Sequence, residues 1–311
     1  MYDLIIIGGG PAGLTAGIYA RRGNLKVLLL EKSAVGGQLL LTDAMENYPG
    51  FVETISGFDL VDKIKRQAEK FGVEMVMEEV KEITREKEGR IPTWKILARN
   101  NSYQATTVAI ATGARQRRLN VPGEDKLTGR GVSYCATCDG PFFRGKKVAV
   151  VGGGNTAVKE ALFLTNFAEK VTLIHRRDKL RAEEILQERA FSNKKIEFIW
   201  NAKATEILGK DSVEGLVVEN VATHQKDEIP CQGVFVFIGL DPNTEFLKGL
   251  VEVDEHGYII TDEAMNTSQK GIFACGDCRR KPLRQVITAC GDGATAGASA
   301  FHYIEELKGN K

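Results

Sequence analysis

A segment that begins and ends with cysteine is the part of this sequence with the clearest chemical capability. Cys135 and Cys138 stand in a Cys-x-x-Cys arrangement, and Asp139 follows directly. Two cysteines at this spacing close a small disulfide ring, which suits rapid thiol–disulfide exchange. Asp139 is placed to exchange a proton with the arriving or departing thiol as a general acid and base. Two other interpretations stay open: half of a zinc site completed by Cys275 and Cys278, or two inert thiols.

A glycine fingerprint near the amino terminus has the spacing of a dinucleotide-binding turn. Its three glycines are Gly8, Gly10 and Gly13. The first permits a tight turn, the second lets the backbone approach a pyrophosphate, and the third lets a helix pack on the preceding strand. Glu31, 18 residues after the last glycine, can accept hydrogen bonds from a ribose diol. The fingerprint does not decide between NAD and FAD, but a later strand end with an acid, Gly276-Asp277, favours FAD.

A second fingerprint about 144 residues later has a different residue pattern after its second strand. Its three positions are Gly152, Gly154 and Ala157. The following strand ends at His175, and three arginines come next: Arg176, Arg177 and Arg181. Arginines pair with a 2′-phosphate through charge-assisted hydrogen bonds, whereas an acid would repel it. The pattern therefore predicts NADPH rather than NADH, against the alternative that the arginines belong to a solvated helix start.

Length and composition limit the class of protein. A chain of 311 residues fits about two domains. With 42 basic and 41 acidic residues, it has no global basic field for nucleic acid or anionic lipid. No apolar run approaches the roughly 20 residues that span a bilayer, and no signal peptide is evident. We therefore expect a cytoplasmic protein that binds neither nucleic acid nor membrane. Its six cysteines then favour buried or catalytic thiols over structural disulfides.

Two βαβ units are predicted to position these groups. The first comprises strand Leu4–Ile7, helix Pro11–Arg22 and strand Leu25–Leu30; the second comprises strand Lys147–Val151, helix Asn155–Thr165 and strand Val171–Ile174. Further elements are the strands Thr107–Ile110 and Gly271–Ala274 and a helix from about Gln285. Charge, proline and glycine mark two crossings, Arg115–Glu124 and Gly239–Thr244. The fold class predicted is α/β with two Rossmann-like domains. The first domain, 1–114 and 244–311, is discontinuous, and 115–243 is inserted into it.

Together these residues resemble the low-molecular-weight, bacterial-type NADPH-dependent thioredoxin reductases. The resemblance extends along the whole chain, through Gly8–Gly13, Gly36–Gln38, Glu46–Gly50, Ala111–Gly113, Cys135–Gly140, Gly152–Ala157, His175–Arg181, Gly276-Asp277 and Arg284-Gln285. It implies FAD in the discontinuous domain, NADPH in the inserted domain, a homodimer, and thioredoxin as the protein substrate. It also implies that Cys138 faces the flavin and that Asp139 supplies protons. Phe142 and Phe143 occupy the place of partner-receiving aromatics, although a core role is an equal alternative.

The cofactor contacts expected on this basis fall into two sets, and no metal is predicted. The FAD set is Gly8, Gly10, Pro11, Ala12, Gly13, Glu31, Gly37, Gln38, Asn47, Val80, Ala111, Thr112, Gly113, Gly276, Asp277, Arg284, Gln285 and Val286. The NADPH set is Gly154, Asn155, Thr156, His175, Arg176, Arg177, Arg181, Ile238 and Gly239. Cys231, Cys275, Cys278 and Cys290 are predicted to be buried residues without a redox role.

Chain order adds one mechanistic expectation. The cysteine pair and the NADPH fingerprint both lie on the inserted domain, yet both must reach one flavin on the other domain. We therefore predict a domain rotation about the two crossings; full turnover in a protein with rigidly cross-linked domains would contradict it. Rival functions are a reductase of peroxiredoxin or a small dithiol, and a nucleotide-sensing regulator. The cysteine segment argues against the regulator because sensing needs no dithiol.

Overall fold

The computed structural model describes residues 1–42, 45, 47–86 and 93–309, with every side chain there except those at positions 41, 137 and 138. It divides into two compact units, Met1–Arg115 with Asp241–Lys311, and Gln116–Leu240. The sequence analysis predicted these boundaries at 114/115 and 243/244. Glu46 of the Glu46–Gly50 stretch lies outside the described residues.

The strands and helices follow one another in two βαβ-type series. The strands are β1 Tyr2–Ile7, β2 Val27–Glu31, β3 Glu74–Met77, β4 Val80–Glu86, β5 Thr93–Ala98, β6 Ser102–Ile110, β7 Ala114–Gln116, β8 Val132–Ser133, β9 Lys147–Gly152, β10 Lys170–Ile174, β11 Ile196–Ile199, β12 Ala202–Leu208, β13 Gly215–Asn220, β14 Lys226–Pro230, β15 Gly233–Phe237, β16 Leu240–Pro242 and β17 Ile272–Ala274. The α-helices are α1 Pro11–Arg22, α2 Gly57–Lys70, α3 Glu124–Leu127, α4 Ala136–Asp139, α5 Asn155–Leu164, α6 Glu184–Ser192 and α7 Val286–Gly309.

The first unit is built on a parallel sheet in the order β3-β2-β1-β6, with β17 parallel to β6. Ile7 pairs with Leu30 on one side and with Ile110 on the other, so three strand ends meet at one edge. The strands β5 and β4 continue the sheet in antiparallel pairing. The strands β1 and β2 are buried on both faces, and for this reason their sequences are continuous apolar runs and not alternating ones.

The second unit repeats this design with a smaller parallel sheet. Its strand order is β11-β10-β9-β15-β8, and a separate antiparallel sheet runs β12-β13-β14. The helix α5 follows β9 after a glycine turn, as α1 follows β1. The α/β fold with two dinucleotide-binding domains is therefore confirmed.

Helix α7 fixes the position of α1 in the first unit. A Cβ atom at Gly293 would lie 2.1 Å from the Ala12 carbonyl oxygen, and one at Gly297 would lie 2.5 Å from that of Ala16. These glycines let the two helix backbones approach closely, so the first turn of α1 is held from behind. Within the described residues, none of the helices combines the length and apolar content needed to cross a bilayer.

Some element boundaries differ from the sequence-based expectation. The second strand begins at Val27 rather than Leu25, because Asn24 has a positive φ of 61° and the Leu25 N–H still bonds back to Ala20. The strand expected over Thr107–Ile110 begins at Ser102, since β5 pairs with its first half. Part of each crossing is a strand: β7 and β16 form a two-stranded sheet.

Candidate active site

The first glycine turn has the geometry that its three positions predict. Gly8 has a φ of 110°, and a Cβ atom there would lie 2.3 Å from the Ala111 carbonyl oxygen. A Cβ at Gly13 would lie 2.0 Å from the Gly8 carbonyl oxygen, so this glycine allows α1 to pack on its own turn. Gly10 has nothing within 4 Å of its Cβ position, which leaves open space at the amino end of the helix. That space, with helix N–H groups beside it, suits a pyrophosphate.

Glu31 is fixed at the end of β2 by the turn itself. Its carboxylate accepts hydrogen bonds from the N–H groups of Gly9, at 2.8 Å, and Ser33, at 3.0 Å. The side chain is 9% exposed. A buried carboxylate held by backbone donors is preorganised, and its remaining lone pairs suit a ribose diol.

A cavity of about 830 Å³ opens beside this turn, entirely within the first unit. Sixteen of the 18 residues predicted to contact FAD line it: Gly8, Gly10, Pro11, Ala12, Glu31, Gly37, Gln38, Val80, Ala111, Thr112, Gly113, Gly276, Asp277, Arg284, Gln285 and Val286. These residues come from distant parts of the chain. Gly8, Glu31, Ala111 and Gly276 come together because they lie at the carboxyl ends of parallel strands.

Two predicted contacts are placed elsewhere. Gly13 lies behind the turn, in the packing position described above. Asn47 does not line the cavity, but its side-chain amide donates a hydrogen bond to the Gln285 side-chain oxygen at 3.0 Å. Asn47 thus orients a cavity residue.

Asp277 and Arg284 leave polar atoms in the cavity wall without protein partners. Asp277 Oδ1 and Arg284 Nε are buried and have no hydrogen-bond partner among the residues that the structure describes. Burial raises the pKa of Asp277, while the charges of Lys281 and Arg284 oppose the rise. Buried polar atoms are rarely left unsatisfied, so this pair points to a polar ligand in the cavity. A ribityl chain and a flavin ring edge, which carry hydroxyls and carbonyls, fit this donor and acceptor set.

Several cavity residues escaped the sequence analysis. Lys32, Ser33 and Ala34 directly follow Glu31, and that adjacency was the available signal. Asn243 could not be predicted in this way, because no predicted contact is adjacent to it in the sequence. Its side-chain amide donates to the Thr112 carbonyl at 2.9 Å, and the Thr112 hydroxyl donates to the Asn243 carbonyl at 2.8 Å. These two residues are 131 positions apart, so the pairing exists only in the folded chain.

The second glycine turn differs from the first in what covers it. Gly152 has a φ of 151°, and a Cβ there would lie 2.3 Å from the Phe237 carbonyl oxygen. A Cβ at Gly153 would lie 2.3 Å from His175 Nδ1. The histidine ring therefore packs on the second turn at the position where Glu31 accepts a hydrogen bond from the first turn. His175 is buried, and burial together with the neighbouring arginines lowers its pKa. We therefore expect a neutral imidazole beneath the turn, with its unpartnered Nε2 as one available polar atom.

The arginines after β10 are exposed, unlike His175. Arg176, Arg177 and Arg181 all present accessible side chains. The Arg181 N–H donates to the Gly153 carbonyl at 2.7 Å, which places this arginine beside the turn. Gly154 has nothing within 4 Å of its Cβ position, as at Gly10. The second turn thus combines open space with nearby cations, as a 2′-phosphorylated dinucleotide requires.

The remaining predicted NADPH contacts follow two neighbouring strands at the same edge of the sheet. Asn155 and Thr156 are exposed in the first turn of α5, and Asn155 exchanges two hydrogen bonds with Glu183. Ile238 is half-buried and Gly239 exposed just after β15. β9 and β15 are parallel neighbours, so these residues lie past the carboxyl ends of adjacent strands.

The redox segment lies in the second unit, and Cys135 is disulfide-bonded. The Cys135 N–H donates to Ser133 Oγ at 3.1 Å, and this hydroxyl also contacts the Cys135 carbonyl at 3.1 Å. The Asp139 N–H bonds to the Cys135 carbonyl at 3.2 Å, closing the single turn of α4. The Cys138 side chain lies outside the described residues, so its pairing with Cys135 stays a prediction.

The other cysteines have the buried character expected of them. Cys231, Cys275, Cys278 and Cys290 are free and buried. Burial raises the pKa of Cys231 to about 12 and that of Cys278 to about 11, which keeps both as unreactive thiols. Among the described side chains, no group of three or more His, Cys, Asp or Glu is placed to hold a metal ion.

The two aromatics after the redox segment have different environments. Phe143 is buried and stacks edge-on against Phe235 with ring centroids 5.2 Å apart. Phe142 is 73% exposed. The core interpretation therefore applies to Phe143, while Phe142 has the exposure that a partner-receiving side chain needs.

Known proteins similar to this chain agree with one another. A family model described as pyridine nucleotide-disulphide oxidoreductase matches residues 2–293. The thioredoxin reductases of Listeria monocytogenes and Bacillus subtilis are each 48% identical over 309 residues, covering 99% of this chain and 95% and 96% of theirs. The crystal structure of Lactococcus lactis thioredoxin reductase superposes with a TM-score of 0.90 at 46% identity, covering 98% of this chain and all of that one.

A more distant solved structure shows the same likeness. T. acidophilum thioredoxin reductase is 34% identical with a TM-score of 0.86, covering 97% of this chain and 98% of its own. The similarity thus extends over both units and not over one motif. This chain belongs to the pyridine nucleotide-disulphide oxidoreductase family, among its thioredoxin reductases.

Proposed function

We propose that this chain carries two electrons from NADPH to FAD, from FAD to the Cys135–Cys138 disulfide, and from that pair to thioredoxin. It is an NADPH-dependent thioredoxin-disulfide reductase that uses FAD, as its family membership shows. The assignment of the redox site rests on the disulfide at Cys135. The free cysteines Cys231, Cys275, Cys278 and Cys290 are buried, so they are poorly placed to exchange electrons with a protein partner. When bound, FAD supplies two-electron chemistry between a nicotinamide and a disulfide.

The first unit's residues bind and orient the flavin cofactor. The α1 amino terminus would hold the pyrophosphate, Glu31 would accept hydrogen bonds from a ribose, and Asp277 and Arg284 would offer their buried polar atoms to the cofactor. In the second unit, Arg176 and Arg177 pair with the 2′-phosphate of NADPH. Each role follows from the charge and position of the side chain.

The reduced cysteine pair completes the reaction by thiol–disulfide exchange. One thiolate attacks a thioredoxin sulfur, the thioredoxin S–S bond breaks, and a mixed disulfide forms with release of a thiolate. The second thiol of the pair then attacks the mixed disulfide, which frees dithiol thioredoxin and restores the Cys135–Cys138 bond. Asp139, next to Cys138, moves the proton that each departing thiolate takes up. Two electrons and two protons reach thioredoxin in each cycle.

The cellular setting and assembly proposed are cytoplasmic and homodimeric. Thioredoxin has a reduction potential of about −270 mV, so a protein that reduces it works in a reducing compartment such as the cytoplasm. The homodimer follows from the family resemblance. Light scattering of the flavin-loaded protein should give the mass of two chains, and the mass of one chain would contradict this proposal.

An anaerobic titration of the flavin-loaded protein tests the proposed electron path. NADPH should bleach the flavin absorbance and release two thiols that react with a chromogenic disulfide, while the four buried thiols stay unreactive. Oxidised thioredoxin should then restore both the absorbance and the disulfide. The proposal fails if the flavin is reduced without the appearance of two reactive thiols, or if the purified chain takes up no flavin.

A further inference from the structure

The residue before the redox segment is tied to a buried carboxylate. The Tyr134 hydroxyl donates a hydrogen bond to Glu124 Oε1 at 2.6 Å. The Tyr134 hydroxyl oxygen in turn accepts a hydrogen bond from Arg118 Nε at 3.2 Å, and the Arg118 guanidinium carbon lies 5.9 Å from the centroid of the tyrosine ring. Burial and the bond to Glu124 raise the pKa of Tyr134, so the phenol keeps its proton. The ring is thus held from two sides, next to Cys135 in the chain.

Glu124 joins this phenol to the segment by which the chain enters the second unit. It is 2% exposed, and its carboxylate also accepts the N–H groups of Leu119 at 2.9 Å and Asn120 at 2.7 Å. Asn120 has a positive φ of 57°, which a backbone N–H held by a buried carboxylate helps to maintain. One side chain therefore organises the entering segment and receives the tyrosine.

The entering segment is also hydrogen-bonded to the segment by which the chain leaves the unit. The Arg117 N–H donates to the Gly239 carbonyl at 2.9 Å. At the other end, Ser133 Oγ accepts the Cys135 N–H, and β8 pairs with β15 through Val132 and Val234. Both crossing segments are thereby connected to the backbone of the redox cysteine within one unit.

We propose that Tyr134 is a positioning residue for the redox disulfide. Through Glu124 it fixes the Cys135 backbone to the two crossing segments, so that the disulfide is carried with them as one body. Exchange between sulfur atoms needs the attacking and leaving sulfurs aligned, and a misplacement of about 1 Å can lower a rate about a hundredfold. Without this connection the redox segment would sample more orientations and react less often. This inference rests on the proposed electron path.

The variant Tyr134→Phe removes the hydroxyl and retains the ring. Deuterium uptake at backbone amides in peptides covering Ser133–Asp139 should rise, because the lost bond anchored this segment. Turnover with thioredoxin should fall roughly fivefold, as the loss of one hydrogen bond to a charged group allows. NADPH-dependent reduction of ferricyanide, which needs the flavin and no thiol, should stay within about twofold of wild type. A general loss of structure would lower both activities together, so the split identifies positioning.

Two further variants make the outcome decisive. Tyr2→Phe removes a tyrosine–carboxylate hydrogen bond on the surface of the other unit, where the hydroxyl donates to Glu74 at 3.0 Å. This variant should leave thioredoxin turnover, ferricyanide reduction and the deuterium uptake of Ser133–Asp139 unchanged. Glu124→Gln removes the charge that accepts the hydrogen bonds of Tyr134, Leu119 and Asn120. It should therefore lower thioredoxin turnover further than Tyr134→Phe does.

The outcome that overturns this inference differs from failure of the proposed function. If wild-type protein reduces no thioredoxin, the electron path itself is wrong. If wild type reduces thioredoxin and Tyr134→Phe matches it in turnover and in deuterium uptake, the positioning role is wrong and the electron path stands. An equal loss of ferricyanide and thioredoxin activities in Tyr134→Phe also rejects the positioning role.

Discussion

Replacing Cys138 with serine should abolish thioredoxin reduction while leaving FAD and NADPH bound. A hydroxyl cannot form the redox disulfide, so electrons that reach the flavin have no sulfur acceptor. Removing one member of a catalytic unit costs orders of magnitude in rate, and we expect kcat with thioredoxin to fall by about a thousandfold or more. Flavin absorbance, and the rate of NADPH-dependent ferricyanide reduction, should stay within about twofold of wild type, because neither depends on a thiol.

The matched control for this variant is a cysteine in the same unit that lies outside the redox segment. Cys231 is free and buried, and burial raises its pKa to about 12. Cys231→Ala should retain thioredoxin reduction, and any loss should be explained by lower thermal stability. Thioredoxin turnover above about a tenth of wild type in Cys138→Ser would mean that the Cys135 disulfide is not the electron exit, whatever the flavin does.

The sequence predicted those elements whose start and end are marked by neighbouring residues, and it missed elements that depend on pairing with distant strands. Helix α1 begins and ends where expected, because Pro11 fixes its first turn and Gly23 follows its last residue. The strand β14, Lys226–Pro230, was not anticipated, since four of its five residues are exposed and carry no apolar pattern. It forms because β13 offers an antiparallel edge, and that pairing is a tertiary event.

The candidate site shows the same distinction. Gly8, Gly10 and Glu31 form a short-range pattern with a known geometric purpose, so their positions at the cavity could be anticipated. Glu245 also lines the cavity, but no predicted contact lies near it in the chain. It reaches the cavity because the segment after β16 is hydrogen-bonded to Thr112 through Asn243. Sequence spacing predicts residues that share a turn, whereas residues that share only a cavity wall require the fold.

Replacing both Arg176 and Arg177 with alanine should convert a strong preference for NADPH into a weak one. Both side chains are exposed after β10, so their interaction with a 2′-phosphate is partly screened by solvent. We expect the pair to contribute about 2 to 3 kcal/mol, which corresponds to roughly 30- to 150-fold in kcat/KM for NADPH. NADH lacks this phosphate, so kcat/KM for NADH should change by about twofold or less.

The comparison between the two nucleotides is what makes this last experiment informative. Lost stability or a damaged flavin site would lower both values of kcat/KM, whereas loss of a phosphate contact lowers that for NADPH alone. Arg189→Ala, which removes an exposed arginine from α6 of the same unit, serves as the control for loss of a surface arginine and should change neither value. His175 is buried under the Gly153 backbone, so its substitution should affect folding of the turn for both nucleotides. An unchanged ratio of NADPH to NADH efficiency in Arg176→Ala with Arg177→Ala would place the 2′-phosphate elsewhere.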